Sequence, residues 1–284
     1  MIIETCPLSI EDIQSELEEL REIAVKNNTK KMYELAFSCI DLTTLNSTDT
    51  ISSVTAFTEK VNQFPEAFPG ISNVAAICVY PNMAHMVKST LKVPNVKIAA
   101  VAGGFPSSMT FTKIKIEEAQ LSVVAGANEI DIVLSLWSFL ERHYETCLTE
   151  ITAIKKAIGD AHLKVILESG VLSVDQLWQA SILAIEAGAD FIKTSTGKLP
   201  QVASPEAAYV MCLAIKQHFE ETGKKVGFKA AGGIVTPEDA ILYLTIVHEI
   251  LGNDWITPQL FRIGASRLAN NLLEKITGKP VKHF

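Results

Sequence analysis

"AGANEIDIVL" (125–134) and "AGADFIKTST" (187–196) follow one local design. Each opens on Ala-Gly-Ala, where glycine suits a helix C-terminus, and runs straight into a short apolar stretch. A helix closed by glycine and followed at once by a strand is one joint of a repeating βα pattern. On either side of these two joints, short runs rich in Val, Ile and Ala alternate with longer stretches of helical period. Strands are predicted at 35–42, 74–80, 97–103, 129–134, 163–168, 191–196, 226–232 and 261–266, eight in all. Helices are predicted at 112–125 and at 173–187, the second from the N-cap candidate Ser173. The strands read as continuously apolar because a barrel strand is covered by helices outside and packed side chains inside. Eight beats without a long linker predict an α/β fold, a closed (β/α)8 TIM barrel, over an open doubly wound sheet. Residues 8–26 add an amphipathic N-terminal helix that could cover the barrel's bottom or an interface. The expected organisation is a helical extension at 1–34, the barrel at 35–276 and a tail at 277–284.

The bulk composition narrows the partners. A chain of 284 residues, 48% apolar and 20% charged with a formal net charge of -7, has the profile of a soluble globular protein and no basic footprint for nucleic acid. The five cysteines, an odd number, lie far apart with no Cys-x-x-Cys pair, so reduced thiols in a cytoplasmic setting fit best. No signal-peptide pattern opens the chain and no apolar run has membrane-spanning length.

"FIKTSTG" (191–197) begins as the interior of a buried strand and then places Lys193 where a Val or Ile is expected. A buried ammonium is costly. Barrel chemistry sits at the C-terminal ends of strands, so the polar strand residues Asp41, Asp131, Lys164, Glu168, Lys193 and Lys229 are the candidates. Lys164 starts its strand and reads as a bottom-face or solvated residue, and Glu168 reads equally as a paired structural carboxylate. Lys193, Lys229 and Asp131 could form a purely structural ion triad. The functional alternative is more specific. Two ammonium groups on neighbouring strands repel, which favours a neutral amine on whichever is more deeply buried. A neutral amine attacks carbonyls, and the resulting iminium permits C–C cleavage, with Asp131 moving protons through a bound water.

A second signal lies in "STGK" (195–198), "AAGGIVT" (230–236) and "GASR" (264–267), which follow the last three strands. Glycines there let backbone N–H groups approach an anion beside helix N-termini, where this fold commonly seats phosphate. Lys198 and Arg267 would add positive charge or stay solvated.

With these motifs in place, the sequence resembles the deoxyribose-phosphate aldolases, class I aldolases on this barrel. The resemblance covers about residues 35–270 and rests on "DLTTLN" (41–46), "AAICVYP" (75–81), "EIDIV" (129–133), "LKVILESG" (163–170), "DFIKTSTGK" (190–198), "VGFKAAGG" (226–233) and "FRIGAS" (261–266). It implies Lys193 as the Schiff-base lysine, Lys229 as the neighbour depressing its pKa, and Asp131 as the proton-relay carboxylate; the residues alone do not rank the two lysines. It also implies that Gly197, Lys198, Gly232, Gly233, Gly264 and Ser266 hold a substrate phosphate, with Asp41 and Thr43 lining the site. The implied reaction cleaves 2-deoxy-D-ribose 5-phosphate, a small phosphosugar, to D-glyceraldehyde 3-phosphate and acetaldehyde without metal or organic cofactor. Cys78 reads as a small buried hydrophobe or, by the resemblance, as a thiol near the site. Arg267 stands where many bacterial relatives have a second Ser, and the final "VKHF" carries Phe284 where some members have a Tyr that assists proton transfer. A homodimer through the acidic N-terminal helix is suggested by analogy.

Other chemistries fit less well. A metal-dependent aldolase needs a histidine cluster, yet none of His85, His143, His162, His218, His248 and His283 ends a predicted strand. Neither G-x-G-x-x-G nor G-x-x-x-x-G-K-[ST] occurs. The remaining alternatives are a transaldolase-like Schiff-base enzyme acting on ketose phosphates and a catalytically dead barrel that only binds phosphosugars.

Overall fold

Eight parallel strands pair in chain order and the last closes on the first, so the sheet is a barrel without edges. The computed structural model describes residues 5–200 and 202–284. The strands are β1 (Ile40–Thr43), β2 (Ala76–Val79), β3 (Lys97–Val101), β4 (Glu129–Val133), β5 (His162–Ile166), β6 (Phe191–Lys193), β7 (Gly227–Ala231) and β8 (Phe261–Ala265). Helices α1 (Ile10–Lys26) and α2 (Lys30–Ser38) precede β1, and α3 (Ile51–Ala67), α4 (Ala84–Thr90) and α5 (Thr112–Val124) follow β1, β2 and β3. After β4 come α6 (Leu136–Leu140) and α7 (Tyr144–Ile158); α8 (Val174–Glu186), α9 (Pro205–Thr222), α10 (Pro237–Leu251) and α11 (Arg267–Thr277) follow the remaining strands. Among the described residues no helix is long and apolar enough to cross a membrane.

The (β/α)8 expectation holds, with one local correction. "LAFSCIDL" is not one strand, because residues 35–38 finish α2 and the strand starts at Ile40. The Thr29 side chain caps α2 by accepting from Met32 N–H, and Tyr33, Ala36 and Phe37 bury one helical face. A short apolar run does not reveal its period, and this one obeys 3.6 rather than 2. Helix α2 therefore runs across the expected boundary between residues 34 and 35. Ser173 does cap α8, in a reciprocal capping box with Gln176, and Ser9 does the same for α1 with Asp12; each cap contributes about 1 kcal/mol. Helix α1 buries Ile13, Leu17, Leu20 and Ala24 against α9 and α10, so it thickens the outer wall and does not cover the bottom.

Strand register sorts the side chains into two compartments. Ile40, Leu42, Ile77, Ile130, Ile132, Val165, Ile192 and Phe228 face outward into the large core beneath the helices. Their alternates face inward, with Ala76, Cys78, Ala99 and Val101 forming a small apolar cluster on the β2–β3 side. The opposite interior, from β4 round to β1, is ionic. Phe191 lies beneath it, opposite Gly227 in register, where a Cβ would come within 2.3 Å of the Phe191 ring. Glycine at 227 is thus what lets an aromatic ring form the floor. Lys164 and Arg262 sit 6.0 Å and 5.8 Å from that ring's centroid, within cation–π range.

Candidate active site

Lys193 and Lys229 are register partners on β6 and β7, and both Nζ atoms donate to Asp131 Oδ2 at 2.8 Å. Asp131 Oδ1 accepts from Lys164 Nζ at 3.0 Å, and that same ammonium donates to Glu129 Oε2 at 2.6 Å. Lys229 also donates to Asp41 Oδ2. Arg262 Nη1 reaches Asp41 Oδ1 at 2.6 Å, while Nη2 reaches Glu129 Oε1 at 2.7 Å. All seven of these residues are buried. Lys164 is correspondingly neither solvated nor at the surface: it is the middle residue of β5, points into the barrel and bonds two carboxylates of the neighbouring strand β4.

This geometry ranks the two lysines, and depth is not the criterion. Lys229, with no exposure, is the deeper, yet Asp131 and Asp41 together outweigh its desolvation and hold its pKa above the usual lysine value. Lys193 is 3% exposed and has Asp131 alone, which Lys229 shares. Burial, and then the Lys229 ammonium, push the Lys193 amine below its ordinary pKa against the pull of Asp131. For Asp131, burial opposes ionisation, but the three lysines around it hold the carboxyl well below the usual range. Lys164 stays cationic, since Asp131, Glu129 and Asp41 offset its burial. The arrangement can therefore present one uncharged amine above a layer of fixed charges.

Above Lys193 opens a cavity of about 420 Å³. Lys193 and Thr43 line it, with Gly197 and Lys198 from the loop after β6, Gly232 and Gly233 after β7, and Gly264, Ser266 and Arg267 at the end of β8. Asp41, Asp131, Lys229 and Cys78 are not among its lining residues; the three charged residues belong to the ionic layer below, and Cys78 to the small apolar cluster. Burial pushes the Cys78 thiol up. Gly232 has φ +97, and a Cβ there would lie 2.3 Å from Ser195 Oγ. Gly264 gives clearance to the ionic layer itself, since a Cβ would lie 3.2 Å from Lys229 Cε. Ser266 makes no side-chain cap for α11, so the first-turn N–H groups at Arg267 face the mouth without one. Lys198 Nζ donates across the mouth to the Leu45 carbonyl.

Glu129, Arg262 and Thr196 also belong to this arrangement, without standing out among the sequence candidates. Glu129 and Arg262 lie two residues before Asp131 and Gly264 on the same inward faces, so the period of 2 was the available signal. Thr196 lines the cavity and is fixed by Glu168, whose carboxylate accepts from Thr196 N at 3.1 Å and from its Oγ1 at 2.6 Å. Glu168 adopts φ 55, the left-handed region, to make that reach. Phe284 lies elsewhere. Its ring stacks on Phe64 at 5.9 Å, and its backbone is held by Asn270, which pins the tail to the outer wall over α3 and α11. Among the described residues, none that lines the cavity comes from 277–284.

Residues 35–250 match the family described as DeoC/LacD family aldolase. The chain belongs to that family. This aldolase is 40% identical to the deoxyribose-phosphate aldolase of Mus musculus over 277 residues, covering 92% of this chain and 87% of that one. It is 38% identical to the Homo sapiens deoxyribose-phosphate aldolase over the same shares, and a Caenorhabditis elegans relative is 46% identical over 90% of this chain and 84% of its own. Among solved structures, one described as QR15, an aldolase, superposes with a TM-score of 0.69 at 28% identity, covering 85% of this chain and 96% of that one. A deoxyribose phosphate aldolase from Aeropyrum pernix shares the fold, with a TM-score of 0.69 at 24% identity over 94% of this chain and 98% of its own. As a member of the family, this aldolase is a carbon–carbon lyase.

Proposed function

We propose that this aldolase cleaves 2-deoxy-D-ribose 5-phosphate reversibly to D-glyceraldehyde 3-phosphate and acetaldehyde through a Schiff base on Lys193, in deoxyribose catabolism. The observation that carries the reading is the single carboxylate at Lys193, shared with a permanently charged Lys229, directly beneath the cavity.

The Lys193 amine adds to C1 of the open-chain aldehyde, and loss of water gives the iminium. As the C3 hydroxyl gives up its proton, the C2–C3 bond breaks and its electron pair flows to the iminium nitrogen. Glyceraldehyde 3-phosphate leaves, and the remaining enamine takes a proton at C2 before water releases acetaldehyde. Asp131 Oδ2, bonded to both lysines, takes and returns protons while Lys229 stays charged, and a water in the cavity completes the relay to substrate. Gly197, Gly232, Gly233, Gly264, Ser266 and the start of α11 supply backbone donors for the phosphate, with Lys198 and Arg267 as its counter-charges.

Borohydride reduction in the presence of acetaldehyde tests both halves. The expected product is an ethyl adduct on the peptide carrying Lys193; an adduct on Lys229, or none, overturns the assignment. Arg267→Ala is expected to leave this trapping intact while raising KM for the phosphosugar, since acetaldehyde carries no phosphate.

The Aeropyrum pernix aldolase is described as a tetramer. For this chain a homodimer is the assembly we favour, through α5 and its N-cap Phe111, where Phe111, Ile114, Leu121 and Val124 are exposed together. The outer face of α1 carries exposed Glu18, Glu19 and Glu22, whose like charges oppose pairing there. Sedimentation of Leu121→Glu as a monomer, against a dimeric parent, is the expected result; a monomeric parent rules the dimer out.

A further inference from the structure

Three carboxylates, Asp41, Glu129 and Asp131, face four bases, Lys164, Lys193, Lys229 and Arg262, inside the barrel, and every one of these side chains is at most 5% exposed. With all four bases protonated the layer carries one uncompensated positive charge; with one neutral it balances. An unpaired charge in such an interior is far more expensive than a neutral amine, so the layer selects for one deprotonated base. Arg262 cannot be that base, because a guanidinium does not give up its proton in a protein. Lys164 lies within ion-pair distance of three carboxylates, Lys229 of two and Lys193 of one.

We propose that Arg262 and Glu129, which do not line the cavity, act as opposing positioning residues that set the protonation state of Lys193 through the charge balance of the barrel interior. This rests on the reading of Lys193 as the nucleophile and adds the remote residues that make it one. Arg262 engages two of the three carboxylates with a charge that cannot be discharged, which leaves the deficit to fall on an amine. A lysine at 262 would supply a competing site for the missing proton. Glu129 works the other way, since its carboxylate is one of those that keep the cations charged.

The groups facing Lys193 are few enough to make the count decisive. Asp131 comes from β4, Lys229 from β7 and the Cys78 thiol from β2, with Asp41 on β1, Lys164 on β5, Glu129 on β4 and Arg262 on β8 behind them. Strand β3 adds Ala99 and Val101 to the interior, and its exposed Lys97 lines a separate cavity with Glu129 at the far end of the barrel. Glu168, above β5, is bonded to Thr196.

The test is the acid limb of the pH profile, read twice: from kcat/KM for 2-deoxy-D-ribose 5-phosphate, and from the rate at which formaldehyde with cyanoborohydride methylates Lys193, followed by peptide mass spectrometry. In Arg262→Met the three carboxylates balance three lysines with Lys193 protonated, so both limbs move up by about one pH unit. In Glu129→Gln only two carboxylates remain and both limbs move down by about as much. The double variant keeps Asp41 and Asp131 against Lys164 and Lys229, and its limbs return to those of the parent. A structural role alone moves neither limb in opposite directions. Limbs that move the same way in both single variants, or a double variant that does not return, overturn the proposal. If Arg262→Met does not fold, Glu129→Gln and the double variant decide it, by a downward shift in one and its absence in the other. Methylation limbs that shift as expected without acetaldehyde trapping on Lys193 would sink the nucleophile and leave the balance standing. Trapping on Lys193 with unmoved limbs would do the reverse.

Discussion

Lys193→Met abolishes turnover while leaving the fold at least as stable as the parent. The loss of cleavage is expected on the order of 10⁴-fold or more, as for removal of a covalent nucleophile. The stability half follows from the same geometry. Burial and Lys229 lower the folded-state pKa of Lys193 below its unfolded value near 10.5, so the unfolded chain binds the proton more tightly. That penalty is fully present below the folded pKa and disappears as pH rises towards the unfolded one. Methionine removes it, and Asp131 keeps Lys164 and Lys229 as partners. Denaturation midpoints at neutral pH should therefore be equal or higher for the variant, with the difference shrinking as pH rises from the folded pKa and gone above the unfolded value near 10.5. Residual turnover, or a clear drop in the midpoint, would show that Lys193 is structural.

Lys229→Met gives the opposite pairing. Asp41 loses one of its cations and Asp131 one of three, and removal of one partner from a buried ion pair costs about 3–5 kcal/mol. The folded pKa of Lys229 is raised, so its contribution is fully present below its unfolded value and is lost only as pH climbs through the folded one. The destabilisation should thus be constant across neutral pH. Activity falls as well, because the remaining three carboxylates now balance Lys164, Arg262 and a protonated Lys193. A loss of about 10²–10³-fold at pH 7 is expected, partly recovered at alkaline pH as Lys193 gives up its proton. Urea unfolding and a pH–rate profile check the two halves, and a variant that is unstable but keeps the parent's pH dependence would separate Lys229 from the chemistry.

These contrasts show what the sequence carried. The joints at 125–134 and 187–196 announced the barrel because a glycine-closed helix leading into an apolar strand needs only local information. Lys193, Lys229 and Asp131 stood out because charge is rare on such strands. What could not be read was a count: how many carboxylates reach each lysine depends on register across strands distant in sequence, as with Arg262 and Asp41 on β8 and β1. The partners of Lys164 depend on the same cross-strand register, and the four apolar residues of "LAFSC" fit two periods.

Phe191 over Gly227 makes shape and charge inseparable at the base of the molecule. The ring fits only above a residue without a side chain, and it lies within cation–π range of two cations that help balance the interior. Any bulk gained at 227 would lift that ring like a jack under the charged tier, and so disturb an amine it never meets. Redesign of substrate scope should accordingly be confined to the rim, where loops can change without altering the foundation.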